Sequence, residues 1–301
     1  MIAPPYLQPG DTIGIVCPAG YMPAATVQTC VAVLNQWGYK VLLGTTVGGS
    51  SVTYFSGSDE ERRVDFQRML DDTTVKAILC GRGGYGTGRI IDQLDFTKFI
   101  AHPKWVIGYS DITILHAHIH RQFDIITLHA PMAAAFNNEG WKNEYVQSIR
   151  EALQGITSAC AGPEHAFNRH GMATGQLVGG NLALLAHLVG TPSDLDTEGK
   201  ILFIEDVGEQ LYNIDRMLYQ YKRSGKLDKL SGLLVGGFTE CKDTDRPFGQ
   251  TSHEIIREIV APYHYPVCFD FPVSHTERNY ALKVGATYEL KVDSTGSLLA
   301  E

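Results

Sequence analysis

Trp105-Val106-Ile107-Gly108-Tyr109-Ser110-Asp111-Ile112 decides the fold. Its first three residues are apolar and read as a short strand. The residues after it, Ile112–Gln122, carry helical patterning, so the octet predicts a sharp strand-to-helix turn. The same alternation recurs on both sides. Upstream, Thr12–Cys17 predicts a strand, Ala24–Trp37 a helix, and Tyr39–Leu43 a second strand. Gly38 ends that helix, because glycine takes the left-handed position beyond a helix terminus without steric cost. Ser58 and Glu61 form a capping box for a helix ending near Leu70. Val75–Cys80 predicts a strand and Thr87–Leu94 a helix; downstream, Ile125–Leu128 predicts another strand. Strands alternating with helices imply a parallel sheet covered on both faces.

Between Gln154 and Gly175 the pattern breaks, and Gly155, Ser158, Gly162, Pro163 and Gly171 suggest a linker. Beyond it, Lys200–Ile204 and Leu230–Gly236 read as strands around an amphipathic helix, Gln210–Arg223. Ala286–Asp293 alternates as a strand exposed on one side does. The expected organisation is an α/β domain over residues 1–155, a linker over 156–174, and a smaller mixed α/β domain over 175–301.

The net charge is −8, from 25 basic and 33 acidic residues. No basic stripe is present to follow a phosphate backbone, so nucleic acid is not an expected partner. No run approaches the ~18 apolar residues of a membrane span, and the N-terminus lacks the pattern of a secretory signal. Neither membrane nor secretion is expected; the expected compartment is the cytoplasm. Cys17, Cys30, Cys80, Cys160, Cys241 and Cys268 are scattered, without a Cys-x-x-Cys pair, and read as reduced core residues.

Several stretches carry chemistry, each with a plainer reading beside it. A strand-to-helix turn pushes the Ser110 hydroxyl above the sheet and aims the next backbone N–H at the same space, as acyl transfer requires. Ser110 or Asp111 could instead cap the helix, and Ile112 stands where the full elbow pattern has glycine. Gly81-Arg82-Gly83-Gly84-Tyr85-Gly86 matches Gly-x-Gly-x-x-Gly between a strand and a helix. No acidic residue follows at the spacing a dinucleotide ribose needs. Such a turn could equally give backbone N–H groups to an oxyanion or a carboxylate, or bind nothing. His116-Ala117-His118-Ile119-His120 invites a metal reading, but on a helix only His116 and His120 align and no third ligand is evident; a helix surface or interface is the expectation. Glu205-Asp206 ends a predicted strand, and His275 lies in the loop Phe271-Pro272-Val273-Ser274-His275-Thr276-Glu277. A serine, a carboxylate and a histidine are the parts of an acyl-transfer triad.

These segments, in order, resemble the LD-carboxypeptidase family of serine peptidases, which includes the microcin self-immunity peptidases. The resemblance runs through Leu7-Gln8-Pro9-Gly10-Asp11, Pro18-Ala19, Gly57-Ser58-Asp59-Glu60-Glu61-Arg62 and the glycine turn at 81–86. It continues through Gly108-Tyr109-Ser110-Asp111, His129-Ala130-Pro131-Met132, Gly179-Gly180-Asn181-Leu182, Ile204-Glu205-Asp206 and Ser274-His275. It implies a flavodoxin-like N-terminal domain carrying the nucleophile Ser110. The smaller domain would carry the orienting carboxylate Glu205 and the general base His275. It further implies an oxyanion hole from the backbone N–H groups of Asp111 and Gly84, and substrate contacts at Arg82, Gly83, Gly180 and Asn181. Arg82 or Arg89 is the expected anchor for a substrate carboxylate. No cofactor and no metal are implied. The implied substrate is a small muropeptide that loses a terminal D-alanine, and the family often forms homodimers. A peptide–nucleotide substrate, a non-catalytic muropeptide-binding role and nucleotide binding at the glycine turn are the alternatives. Ala130 departs from the glycine usual in the family's His-Gly-Pro.

Overall fold

The computed structural model describes all of Met1–Glu301. The chain divides into two units, one of Met1–Ile156 with Tyr280–Lys283, the other of Thr157–Asn279 with Val284–Glu301.

The first unit contains β1 (Thr12–Val16), α1 (Gln28–Gln36), β2 (Lys40–Leu43), α2 (Asp59–Asp71), β3 (Val75–Cys80) and α3 (Thr97–Ala101). β4 (Trp105–Gly108), α4 (Thr113–Phe123), β5 (Thr127–His129) and α5 (Glu144–Leu153) complete it. The strands run β2-β1-β3-β4-β5, each neighbouring pair parallel, and a late strand, Leu282–Val284, adds to the β5 edge. This order is the flavodoxin-like arrangement, whose crevice opens where the strand order reverses, beyond the carboxyl ends of β1 and β3. β3 shows why the strands sit centrally: all but Lys76 are buried, as a strand covered on both faces requires. The capping box of α2 forms, with Ser58 Oγ accepting from Glu61 N–H and Glu61 Oε2 from Ser58 N–H.

The predicted helix at Thr87–Leu94 is instead two 3-10 turns, Thr87–Arg89 and Ile91–Gln93. Gly86 and Gly88 are poor helix formers, while the Asp111 carboxylate caps the first turn by accepting from the Thr87 N–H at 2.8 Å.

The second unit contains β6 (Ala159–Gly162), β7 (Gly171–Asn181), α6 (Leu182–Leu188), β8 (Ile201–Val207), α7 (Leu211–Arg223), β9 (Gly232–Thr239), α8 (Ser252–Val260) and β10 (Val267–Cys268). After Leu282–Val284, which is β11, come β12 (Thr287–Asp293) and β13 (Gly296–Ala300). Its sheet runs β10-β9-β8-β7-β12-β13-β6, parallel from β10 to β7 and antiparallel from β7 to β6. In β12 buried and exposed residues alternate, as its pattern predicted.

The expected linker over 156–174 is a correction. Those residues supply β6 and the start of β7, both within the second sheet. The strand glycines that read as linker serve close packing instead: a methyl group on Gly162 would stand 2.4 Å from Ser297 Oγ, and one on Gly171 3.3 Å from Pro266 Cβ. No helix is long and apolar enough to cross a membrane. No disulfide joins the six cysteines, five of which are buried.

Candidate active site

In the first unit, the reversal point of the sheet brings two loops together. The Gly20 N–H, just beyond β1, donates to the Gly83 carbonyl in the glycine turn at 3.0 Å. Arg62 of α2 braces the same loops from below. Its side chain is fully buried, and Nη1 donates to the carbonyls of Pro18 at 2.5 Å and Gly86 at 2.9 Å, while Nη2 pairs with Asp59. The guanidinium also lies 4.8 Å from the centre of the Phe55 ring. The sequence reading gave Arg62 no role. A cation on the buried face of a helix was the signal, since arginine is seldom fully buried unless its donors are used.

Ser110 lies two residues beyond the end of β4 and is only half-buried. Its φ is +63°, in the left-handed region, which costs a non-glycine residue about 1–2 kcal/mol. Strain of this kind persists where the surroundings over-determine it. Here the Asp111 side chain anchors the turn through Thr87 N–H, and Ile112 N–H donates to the Tyr109 carbonyl at 3.2 Å. Asp111 thus has a structural task beyond its backbone N–H. Ile112, which breaks the elbow pattern, is accommodated from the other side. A methyl group on Gly108 would lie 2.9 Å from Ile112 Cγ1, so glycine at 108 supplies the clearance.

Gly83 faces the serine. A methyl group there would lie 3.0 Å from Ser110 Cβ, 3.2 Å from Oγ and 3.4 Å from Asp111 N. Gly83→Ala is therefore expected to lower kcat by about 10²-fold, the typical effect of an ångström-scale misplacement, with the melting temperature little changed. Steady-state kinetics beside a thermal melt checks this. The neighbouring Gly84, with φ +101°, is exposed, and its N–H meets no acceptor of the chain.

Arg82 is exposed, with Nη1 donating to the Tyr21 carbonyl at 2.6 Å. It borders a cavity of about 240 Å³ whose walls include Met22, Gly81, Tyr109, Met132 and Ala135. Arg89, the other expected anchor, is occupied: its Nε and Nη2 grip both oxygens of Asp59 at 2.6–3.0 Å. The three histidines of α4, expected at a helix surface or interface, are buried within the fold, because the whole run Thr113–His120 is covered. Both ring nitrogens of His116 have protein partners, which removes it as a metal ligand.

In the second unit, Glu205 and His275 meet across 70 residues of sequence, with His275 Nδ1 2.5 Å from Glu205 Oε2. β8 and β9 change register around Glu205, between Ile204 and Asp206, and such an irregularity re-aims a side chain. Two glycines of β9 admit the histidine loop. Gly237 N–H donates to the Val273 carbonyl at 2.9 Å. A methyl group on Gly236 would stand 2.2 Å from that carbonyl oxygen, and one on Gly237 2.6 Å from Ser274 Cβ. The loop is braced internally, with Ser274 Oγ donating to the Arg278 carbonyl and accepting from Thr276 N–H. The sequence reading passed over Gly236-Gly237; paired glycines at the end of a predicted strand were the visible sign of close backbone approach.

Glu205 is fully buried and His275 largely so. Burial is the largest single influence on His275 and pushes its pKa down. The Glu205 hydrogen bond, with the charges of Glu205, Asp206 and Glu240, reverses this and raises it above the ordinary value. Asp206 is pushed up to about 6, chiefly by burial. It accepts from Asn181 Nδ2 at 2.8 Å and from Ala183 N–H at 2.9 Å. Asn181, expected to touch substrate, caps α6 through Oδ1 and is buried. Gly180, the other expected contact, has φ +144° and pairs with Ile204 in the β7–β8 ladder.

Comparison with known proteins matches residues 13–130 to the LD-carboxypeptidase N-terminal domain and residues 174–290 to the LD-carboxypeptidase C-terminal domain. A probable murein peptide carboxypeptidase of Bacillus subtilis is 35% identical over 295 residues, covering 94% of this chain and 89% of that one. A murein tetrapeptide carboxypeptidase of Pseudomonas aeruginosa is 30% identical over 297 residues, covering 94% of each. Among solved structures, muramoyltetrapeptide carboxypeptidase from Oxalobacter formigenes superposes with a TM-score of 0.87 at 29% identity, covering 96% of this chain and 98% of that one.

Proposed function

Because this chain belongs to the LD-carboxypeptidase family, we propose that it is a serine carboxypeptidase that releases the terminal D-alanine of murein tetrapeptides. In this reading Ser110 is the nucleophile, His275 its base and Glu205 the carboxylate that orients the imidazole. The observation that carries it is the 2.5 Å bond between His275 Nδ1 and Glu205. A carboxylate accepts, so Nδ1 holds its hydrogen and Nε2 is the nitrogen that takes a proton. Glu205 also stabilises the imidazolium that forms when it does.

Ser110 attacks the carbonyl of the residue preceding D-alanine, while its proton passes to His275. The tetrahedral oxyanion sits against the N–H groups of Asp111 and Gly84. Collapse expels D-alanine as its amine takes the proton from His275, leaving an acyl-enzyme. Water, deprotonated by the same histidine, then frees the shortened peptide and restores Ser110. The leaving residue is small and ends in a carboxylate. The cavity beside Tyr109 suits a methyl group, and Arg82 at its rim supplies the matching charge.

Incubation of the purified chain with a disaccharide-free murein tetrapeptide, followed by mass analysis, tests the proposal. The expected products are free alanine and the tripeptide. An intact tetrapeptide, or cleavage at any other bond, would overturn it.

A further inference from the structure

We propose that His116, supported by Thr127, is a positioning residue for the nucleophile. It holds the Gly108 carbonyl, and through it the strained backbone that presents Ser110. The inference rests on Ser110 being the nucleophile.

Helical side chains lean toward the helix N-terminus, and α4 starts just beyond the elbow, so the His116 ring reaches back beneath its own helix entry. Nε2 lies 2.8 Å from the Gly108 carbonyl oxygen and Nδ1 2.8 Å from Thr127 Oγ1. The two partners define the tautomer. A carbonyl only accepts, so Nε2 carries the hydrogen; in the neutral ring Nδ1 then accepts, and the Thr127 hydroxyl donates to it. Both side chains are fully buried. Burial also pushes His116 down to about 4, which keeps the ring neutral and this tautomer in place at neutral pH.

What His116 grips is the soft point of the elbow. Gly108 ends β4 with φ +156°, a conformation reached through glycine's freedom, and that freedom must be removed for Ser110 to hold one position. The Gly108 carbonyl receives two donors, His116 Nε2–H and Ala130 N–H at 3.1 Å. Together they fix the plane of the peptide joining Gly108 to Tyr109, one residue before the left-handed Ser110. Thr127 lies on β5, beside β4, so helix, elbow and sheet are tied through one imidazole.

The test uses full-length His116→Ala, His116→Gln and Thr127→Val, with active sites counted by a fluorophosphonate that labels Ser110. His116→Ala is expected to lower kcat per labelled site by about 10- to 100-fold with KM within twofold. His116→Gln, whose amide N–H can take the place of Nε2–H, is expected to return kcat to within about fivefold of the parent. Should the alanine variant fail to fold, Thr127→Val, nearly equal in volume, carries the test with an expected loss of about three- to tenfold. An unchanged kcat per labelled site with fewer sites labelled would reduce His116 to a folding role and overturn the proposal. So would a glutamine variant no better than alanine. A parent protein that cleaves tetrapeptide but takes no label at Ser110 would refute the nucleophile assignment instead, and this inference with it.

Discussion

Ser110→Ala is expected to lower kcat by about 10⁴–10⁶-fold, the loss typical of removing a nucleophile from a hydroxyl–imidazole unit. Ser110→Gly is expected to be equally inactive yet more stable than the parent. The serine sits at φ +63°, where an L-residue pays about 1–2 kcal/mol that glycine does not. Glycine's larger entropy loss on folding offsets part of this relief, leaving a net gain of about 0.5–1 kcal/mol. Alanine keeps a Cβ and so keeps the strain, and its melting temperature should match the parent's. Kinetics and thermal melts of the two variants separate chemistry from conformation. Either variant retaining activity within tenfold of the parent would remove Ser110 from the mechanism.

Glu205→Gln is expected to cost about 10³–10⁴-fold in kcat, because the amide no longer enforces the tautomer with hydrogen on Nδ1 or stabilises the imidazolium. The pH profile should move as well. In the parent, His275 is raised above its ordinary value, and a general base must be neutral, so activity rises as pH climbs through that raised value. Without the Glu205 charge, burial dominates and the acid limb shifts to lower pH. Stability carries the opposite sign. A histidine raised in the folded state contributes stability that is fully present below the unfolded value of ~6.5. That contribution fades as pH rises through the folded value. The variant should therefore lose more stability at pH 5 than at pH 9, as urea titrations at the two values would measure. An unshifted acid limb would deny the pair its role.

The parallel sheet was legible because its central strands are buried on both faces and so appear as apolar runs, as at Trp105–Ile107. The second sheet was harder. Gly171–Asn181 is a strand of eleven residues with four glycines. Each glycine lowers strand propensity, and close neighbours, such as the Phe203 backbone against Gly179 or the Pro266 ring against Gly171, account for them. That proximity is tertiary and leaves no periodic trace, so the start of the strand, up to residue 174, read as linker. Thr87–Leu94 failed for a local reason: Gly88 within it and Gly86 before it lower helix propensity, and two 3-10 turns form instead.

The chemistry divides in the same way. The strand-to-helix turn at Ser110 is local, and the residues themselves suggested it. Glu205 and His275 are separated by 70 positions, and only family resemblance joined them before their hydrogen bond was seen. The α4 histidines show the reverse failure. Their pattern was visible, but nothing local revealed that the entire helix face is covered.

The strand Leu282–Val284 has a consequence for synthesis. Its hydrogen-bonding partner, β5, ends at His129, and about 150 further residues must be translated before the two can pair. At ribosomal speeds of ~5–20 residues per second, that interval is on the order of ten seconds. Throughout it β5 offers a bare edge to other nascent chains. The first part of the polypeptide to emerge is thus among the last to be completed, and its yield in a cell depends on what shields that edge meanwhile.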